Sequence, residues 1–153
     1  DMSVILNKRK NEIEKNIANF NIELSKINYL LEENNMNNVI IFDFLDREHL
    51  FEVLKSCDAF ITLSKQDIYG HTTAEAMANG LPVISSNQVV SSLNLIKNGI
   101  NGYIVNLDNE QEILDAIDCV KNTMSQAAID TANENTIEKM AEAHKEIFSR
   151  IIK

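Results

Sequence analysis

The sequence predicts an α/β fold: a doubly wound parallel sheet of Rossmann type, with helices on both faces. Short apolar runs alternate along the chain with segments of helical period. Within those runs successive residues are apolar, as in strands covered on both sides. Asn and Gly punctuate the junctions, where turns are needed. At least five strands are expected, and 153 residues make a single domain, 1–153.

Ser3-Val4-Ile5-Leu6 reads as a short buried strand. A helix is expected from Lys8 to about Asn34, because Ile13, Ile17, Phe20, Leu24, Ile27 and Leu31 recur at spacings of three and four. The Asn-rich cluster 34–38 stops it. Val39-Ile40-Ile41-Phe42 is expected as a second strand. Asp46 is placed to cap a helix whose inner face carries Leu50, Val53 and Leu54. The run 59–63 is expected as an interior strand. A polar loop then leads into a helix from His71 to Asn79, closed by Gly80. Strands at 82–85 and 103–105 follow, with a short helical stretch at 93–97 between them. A helix over 109–122 turns Ile113, Ala116, Ile117 and Val120 inward, and a last helix runs from Thr136 to Lys153.

Composition narrows the function classes. Lys and Arg number 14 against 23 Asp and Glu, a net charge of −9. Such a domain repels a phosphate backbone, which argues against nucleic acid as a partner. A small anionic ligand is still accommodated, because helix N–H groups bind phosphate without Lys or Arg. Cys57 and Cys119 are too few for a disulfide framework and read as reduced, partly buried residues of a cytoplasmic protein. No run approaches the roughly 18 apolar residues of a membrane span. The two cysteines and His49, His71 and His144 show no ligand spacing, so no metal site is expected. His49 and His144 read as surface residues, and Lys8-Arg9-Lys10 as a solvated start.

In an open parallel sheet, ligands bind beyond the carboxyl ends of the strands. The loop after Leu63 holds most of the candidate chemistry. Gly70 is expected to let the chain turn tightly into a helix. The first turn of that helix is expected to direct the N–H groups around His71, Thr72 and Thr73, which have no carbonyl partner within the helix, outward, and with the helix dipole these make an anion site. Asp67 lies in the loop before it. Glu75 lies one turn inside, four residues after His71 and on the same face. A diphosphate on the helix N-terminus would leave Glu75 at the height of a ribose diol, and Asp67 near sugar hydroxyls. Taken alone, Glu75 is equally an ordinary solvent-facing helix residue and Asp67 a loop acid. His71 either packs on the loop or touches phosphate or sugar, and Tyr69 either packs or stacks on a base.

The stretch Asp67-Ile68-Tyr69-Gly70-His71-Thr72-Thr73-Ala74-Glu75-Ala76-Met77-Ala78-Asn79-Gly80-Leu81-Pro82-Val83-Ile84 resembles the phrase E-N-F-G-H-x-x-x-E-A-x-A-x-G-x-P-V-I. That phrase marks the C-terminal, donor-binding domain of retaining two-Rossmann-domain (GT-B) glycosyltransferases, the group 1 or family four set. Residues 39–64 are similar to the family's preceding strand, helix and strand, and 96–105 to its "EDGVNGLLV" segment. The resemblance is close over 39–153 and loose over 3–38. It implies a nucleoside diphosphate sugar donor, UDP-linked, with no cofactor or metal. Asp67 and Glu75 carry the catalytic role, and Gly70, His71, Thr72, Thr73 and Glu75 bind the donor. It also implies transfer of a hexose or related sugar, with retention, to a glycan or lipid-linked acceptor held by an N-terminal domain. Peripheral membrane association of the full-length enzyme is compatible with it.

The sequence also departs from the family. Asp67 stands for Glu, and the Gly-Gly-x-Pro-Glu loop reads Val89-Val90-Ser91-Ser92-Leu93-Asn94. The family's first donor-domain strand, with the Gly-Arg…Lys residues that neutralise the diphosphate, is expected to precede residue 1. The chain is therefore expected to be part of a larger two-domain enzyme, inactive alone. The alternative is a non-catalytic homologue that binds nucleotide sugar or stabilises a true transferase. A related epimerase is a weaker rival.

Overall fold

The computed structural model describes residues 2–42, 44–67 and 70–151, with side chains from residue 9 onward. Contacts divide the chain into two compact units, 1–44 and 45–153.

The first unit is dominated by one helix, α1 (Met2–Glu33). The strand expected at 3–6 is its first turns. No Gly or Pro interrupts residues 2–33, so the helical pattern that begins at Lys8 extends back through the apolar run. The apolar residues Ile13, Ile17, Phe20 and Ile27 each remain about half exposed. The strand expected at 39–42 is not formed either: among the described residues the segment has no ladder partner, and Ile40 is 78% exposed.

The second unit contains α2 (Arg47–Lys55), β1 (Phe60–Thr62), α3 (His71–Ala78), β2 (Val83–Ser86), α4 (Val90–Leu95) and β3 (Gly102–Val105). It continues with α5 (Glu110–Cys119), a 3-10 turn (Asn122–Met124), α6 (Ser125–Glu134) and α7 (Ile137–Ile151). Among the described residues the sheet has three strands rather than five, all parallel, in the order β1-β2-β3. The register pairs Ile61 with Ile84 and Ile84 with Tyr103.

Successive strand residues point to opposite faces, and β2 shows both faces covered. Val83 joins one cluster with Leu54, Ala76, Met77, Leu81, Leu95, Ile96 and Ala128, from α2, α3, α4 and α6. Ile84 joins a second with Val105 and Ala116, flanked by Tyr103, Ile113 and Val120. The chain is thus a Rossmann-like α/β structure, as the sequence predicts.

Several local expectations are corrected. The strand at 59–63 is an edge of this sheet rather than interior: among the described residues β1 pairs with β2 alone. Ile61 is 45% and Leu63 40% exposed. On α5, Ile117 points outward while Ala116 is buried. Both cysteines are exposed rather than partly buried, since each sits at the end of its helix, Cys57 after α2 and Cys119 closing α5. The helix α6 has no counterpart in the sequence reading. It packs on α3 through Ala128, which is fully buried, with Ala132 against the same cluster.

Other local signals hold. Asp46 caps α2 by accepting from the His49 N–H at 2.9 Å. Gly80, at φ +83°, ends α3, with its N–H on the Met77 carbonyl and the Leu81 N–H on the Ala76 carbonyl. Asn101 is fully buried in the turn before β3. Its side chain accepts from the Lys97 N–H at 2.7 Å and donates to the Leu95 carbonyl at 3.0 Å and the Thr131 hydroxyl at 2.9 Å. It ties the β3 approach to α4 and α6. No described helix is long and apolar enough to cross a membrane.

Candidate functional site

The loop after β1 is held to the carboxyl end of β2. The Ser86 hydroxyl donates to the Ser64 carbonyl at 2.5 Å, and the Val90 N–H donates to the Asp67 carbonyl at 3.3 Å. A parallel bridge pairs Asp67 with Val89. The backbone of Asp67 is therefore anchored to the segment between β2 and α4. Ile68 and Tyr69 lie outside the described residues.

Asp67 is half-buried, and its carboxylate lies against the Cα of Gly70. A Cβ built on Gly70 would fall 3.0 Å from Asp67 Cγ and still nearer Oδ2. Gly70 itself has φ −69° and ψ 112°, open to any residue. The glycine is there for space, not for the tight turn that the sequence suggested. Position 70 is the N-cap of α3 and, being glycine, offers no side chain to cap its first turn.

The first turn of α3 is fixed from below. Thr73 is fully buried, and its hydroxyl lies 2.9 Å from that of Ser92, which is also fully buried. Thr72 is exposed. Ser92 belongs to the segment 89–94 that departs from the family's Gly-Gly-x-Pro-Glu loop, and here the segment runs into α4. Ser91 beside it is buried, and its hydroxyl has no hydrogen-bond partner among the described residues.

His71, Ala74, Glu75 and Ala78, spaced along one face of α3, line a groove of about 370 Å³. Its other walls are Arg47 from α2, Ala132 and Asn135 at the end of α6, and Thr136 and Ile137 at the start of α7. His71 and Glu75 therefore meet in one cleft, as their spacing predicts. Asp67 is not among its lining residues and sits instead at the N-terminal mouth of α3. Glu75 is half-buried. Arg47, Asn135 and Thr136 were not found by sequence reasoning. The Asp46 cap places Arg47 at the first position of α2, but nothing local aims it at α3. Among the described residues no group of three His, Cys, Asp or Glu side chains could hold a metal ion.

Comparison with known proteins places the fold in a family. The family described as "Glycosyl transferases group 1" matches residues 21–142. A UDP-N-acetylglucosamine–peptide N-acetylglucosaminyltransferase GtfA subunit from Streptococcus agalactiae is 29% identical over 94 residues, 60% of this chain and 18% of that protein. A sucrose-phosphate synthase from Thermosynechococcus elongatus superposes with a TM-score of 0.67 at 20% identity, covering 86% of this chain and 35% of that one. The pneumococcal O-GlcNAc transferase GtfA, in complex with UDP and GlcNAc, gives 0.62 at 17% identity, covering 84% and 27%. The chain spans well under half the length of each.

Proposed function

The chain belongs to the group 1 glycosyl transferases, and from that premise we propose that it forms the donor-binding half of a glycosyltransferase acting on a nucleoside diphosphate sugar. The observation that carries the reading is the Asp67–Gly70–Glu75 arrangement. An α3 N-terminus without a side-chain cap stands after the carboxyl end of a parallel strand, one carboxylate at its mouth and a second one turn inside, on a groove. The diphosphate sits on the N–H groups from Gly70 to Thr73, where partial positive charge is fixed before the ligand arrives. The Glu75 carboxylate accepts from the two hydroxyls of the ribose. Asp67, nearer the helix mouth, faces the transferred sugar.

The donor in this reading is UDP-linked, and the full-length enzyme moves a hexose or related sugar with retention and without a metal. The acceptor, a glycan or lipid-linked sugar, belongs to a domain beyond this chain. Dipoles already oriented toward the leaving diphosphate stabilise its charge as the glycosidic bond breaks. The GtfA structure with UDP and GlcNAc supports the donor class.

Donor-dependent kinetics on the full-length protein test this. Glu75→Gln keeps an acceptor but removes the charge, so it raises the donor KM more than it lowers kcat. Loss of a charge-assisted hydrogen bond lowers kcat/KM by about 10–150-fold. Asp67→Asn acts chiefly on kcat, and Asp67→Glu is tolerated. An unchanged kcat/KM in Glu75→Gln refutes the ribose assignment. Two silent variants with no donor turnover favour a non-catalytic role.

A further inference from the structure

We propose that Arg47 supplies a cation that holds the donor's diphosphate, a task the family resemblance assigns to a Gly-Arg…Lys segment. The inference rests on the donor-site reading above and adds a residue to it.

Arg47 stands on α2, across the groove from His71 and Glu75. Its guanidinium carbon lies 5.2 Å from the centroid of the Phe51 ring, one turn along the same helix. A cation at that distance over an aromatic face is held in place while its N–H edge stays available. Arg47 makes no ion pair among the described residues, and Glu75 across the groove makes none either. The remaining polar lining is engaged in its own backbone: Asn135 Nδ2 donates to the Thr131 carbonyl, and the Thr136 hydroxyl accepts from the Lys139 N–H.

The groove thus presents two unmet needs. Among the described residues the Glu75 carboxylate has no donor and the Arg47 guanidinium no anion. A nucleoside diphosphate meets both, with hydroxyls for Glu75 and phosphate oxygens for Arg47, in the fork geometry guanidinium favours. The volume of about 370 Å³ is at the small end of ligand clefts, roughly 300–1,000 Å³. In a chain of net charge −9, an unpaired arginine here also offsets the field that would repel such a ligand.

Titration calorimetry on the full-length protein tests it, with UDP and with uridine as ligands. Circular dichroism confirms that each variant is folded. Arg47→Met keeps length and loses charge; it should weaken UDP by about tenfold or more and uridine by less than about twofold. Arg47→Lys keeps the charge without the fork and should fall between wild type and Arg47→Met. Glu75→Gln should weaken both ligands. If Arg47→Met binds UDP as wild type does while Glu75→Gln is weakened, the proposal fails and the donor-site reading stands. An equal loss of uridine and UDP in Arg47→Met also overturns it, because the cation then acts on the nucleoside. If the wild type binds no UDP, both fall.

Discussion

Replacing Gly70 by alanine separates the chemistry of this site from its stability. The backbone at Gly70, φ −69° and ψ 112°, suits alanine as well as glycine. Alanine also narrows the unfolded ensemble, a gain of about 0.4–1 kcal/mol where the conformation is compatible. The cost falls elsewhere. The new Cβ would lie 3.0 Å from Asp67 Cγ and overlap Oδ2, whereas ordinary contact begins at 3.4 Å. The backbone of Asp67 is held by Val89 and Val90, so the carboxylate yields by rotating away. A shift of about 1 Å at a reacting centre costs about 100-fold in rate. If Asp67 faces the transferred sugar as proposed, Gly70→Ala should keep or raise the melting temperature, lower kcat about 100-fold, and move the donor KM little. The assay is donor-dependent kinetics on the full-length protein with a thermal melt of the same preparation. In an Asp67→Ala background the clash is gone, so adding Gly70→Ala should change kcat no further. A wild-type kcat in Gly70→Ala, or additive effects in the pair, would refute the placement of Asp67 over the helix mouth.

Three further outcomes are expected. Gly102→Ala puts a Cβ within 2.9 Å of the Val83 backbone N and C, which cannot rotate away; it should destabilise the β2–β3 pairing by about 3 kcal/mol or more, read by denaturant unfolding. Asn101→Ala leaves the Lys97 N–H, the Leu95 carbonyl and the Thr131 hydroxyl without the partner they have now; about 3 kcal/mol should be lost, and Asn101→Asp, which lacks the two donors, should not restore it. The Asp46 carboxyl lies below its ordinary range because the His49 backbone N–H, then the His49 side chain, hydrogen-bond to it. A depressed folded pKa means that the cap is intact above the ordinary carboxylate range and weakens as pH falls through the folded value. The His49 amide resonance should follow that acid titration and cease to do so in Asp46→Asn.

Much of the candidate site is legible in the sequence because it is local. The Asp67-to-Glu75 spacing places one acid before a helix and the other a turn inside it, and the four-residue step puts His71 and Glu75 in one groove. Gly80 and Asp46 stop and start helices by hydrogen bonds that span only a few residues, and those bonds form as read. The second wall of the groove was not legible. Arg47, Asn135 and Thr136 reach α3 from elements far along the chain, and no spacing records a contact between separate helices.

A parallel α/β structure and the position of its loop–helix motif are readable from neighbouring residues alone, and that motif's resemblance pointed to the group 1 glycosyl transferases that the family match shows. Alternation of apolar strands and amphipathic helices, and motif spacing, are properties of neighbouring residues. Tertiary structure decided the rest. A short apolar run is a strand only if another strand accepts its backbone hydrogen bonds, so 3–6 became helix and 39–42 remained unpaired. The small residues Ala128 and Ala132 show no strong apolar period, yet their size is what lets α6 lie close on α3. Gly70 is required by the neighbouring carboxylate of Asp67 rather than by its own backbone, a fact of spatial proximity that spacing along the chain does not encode.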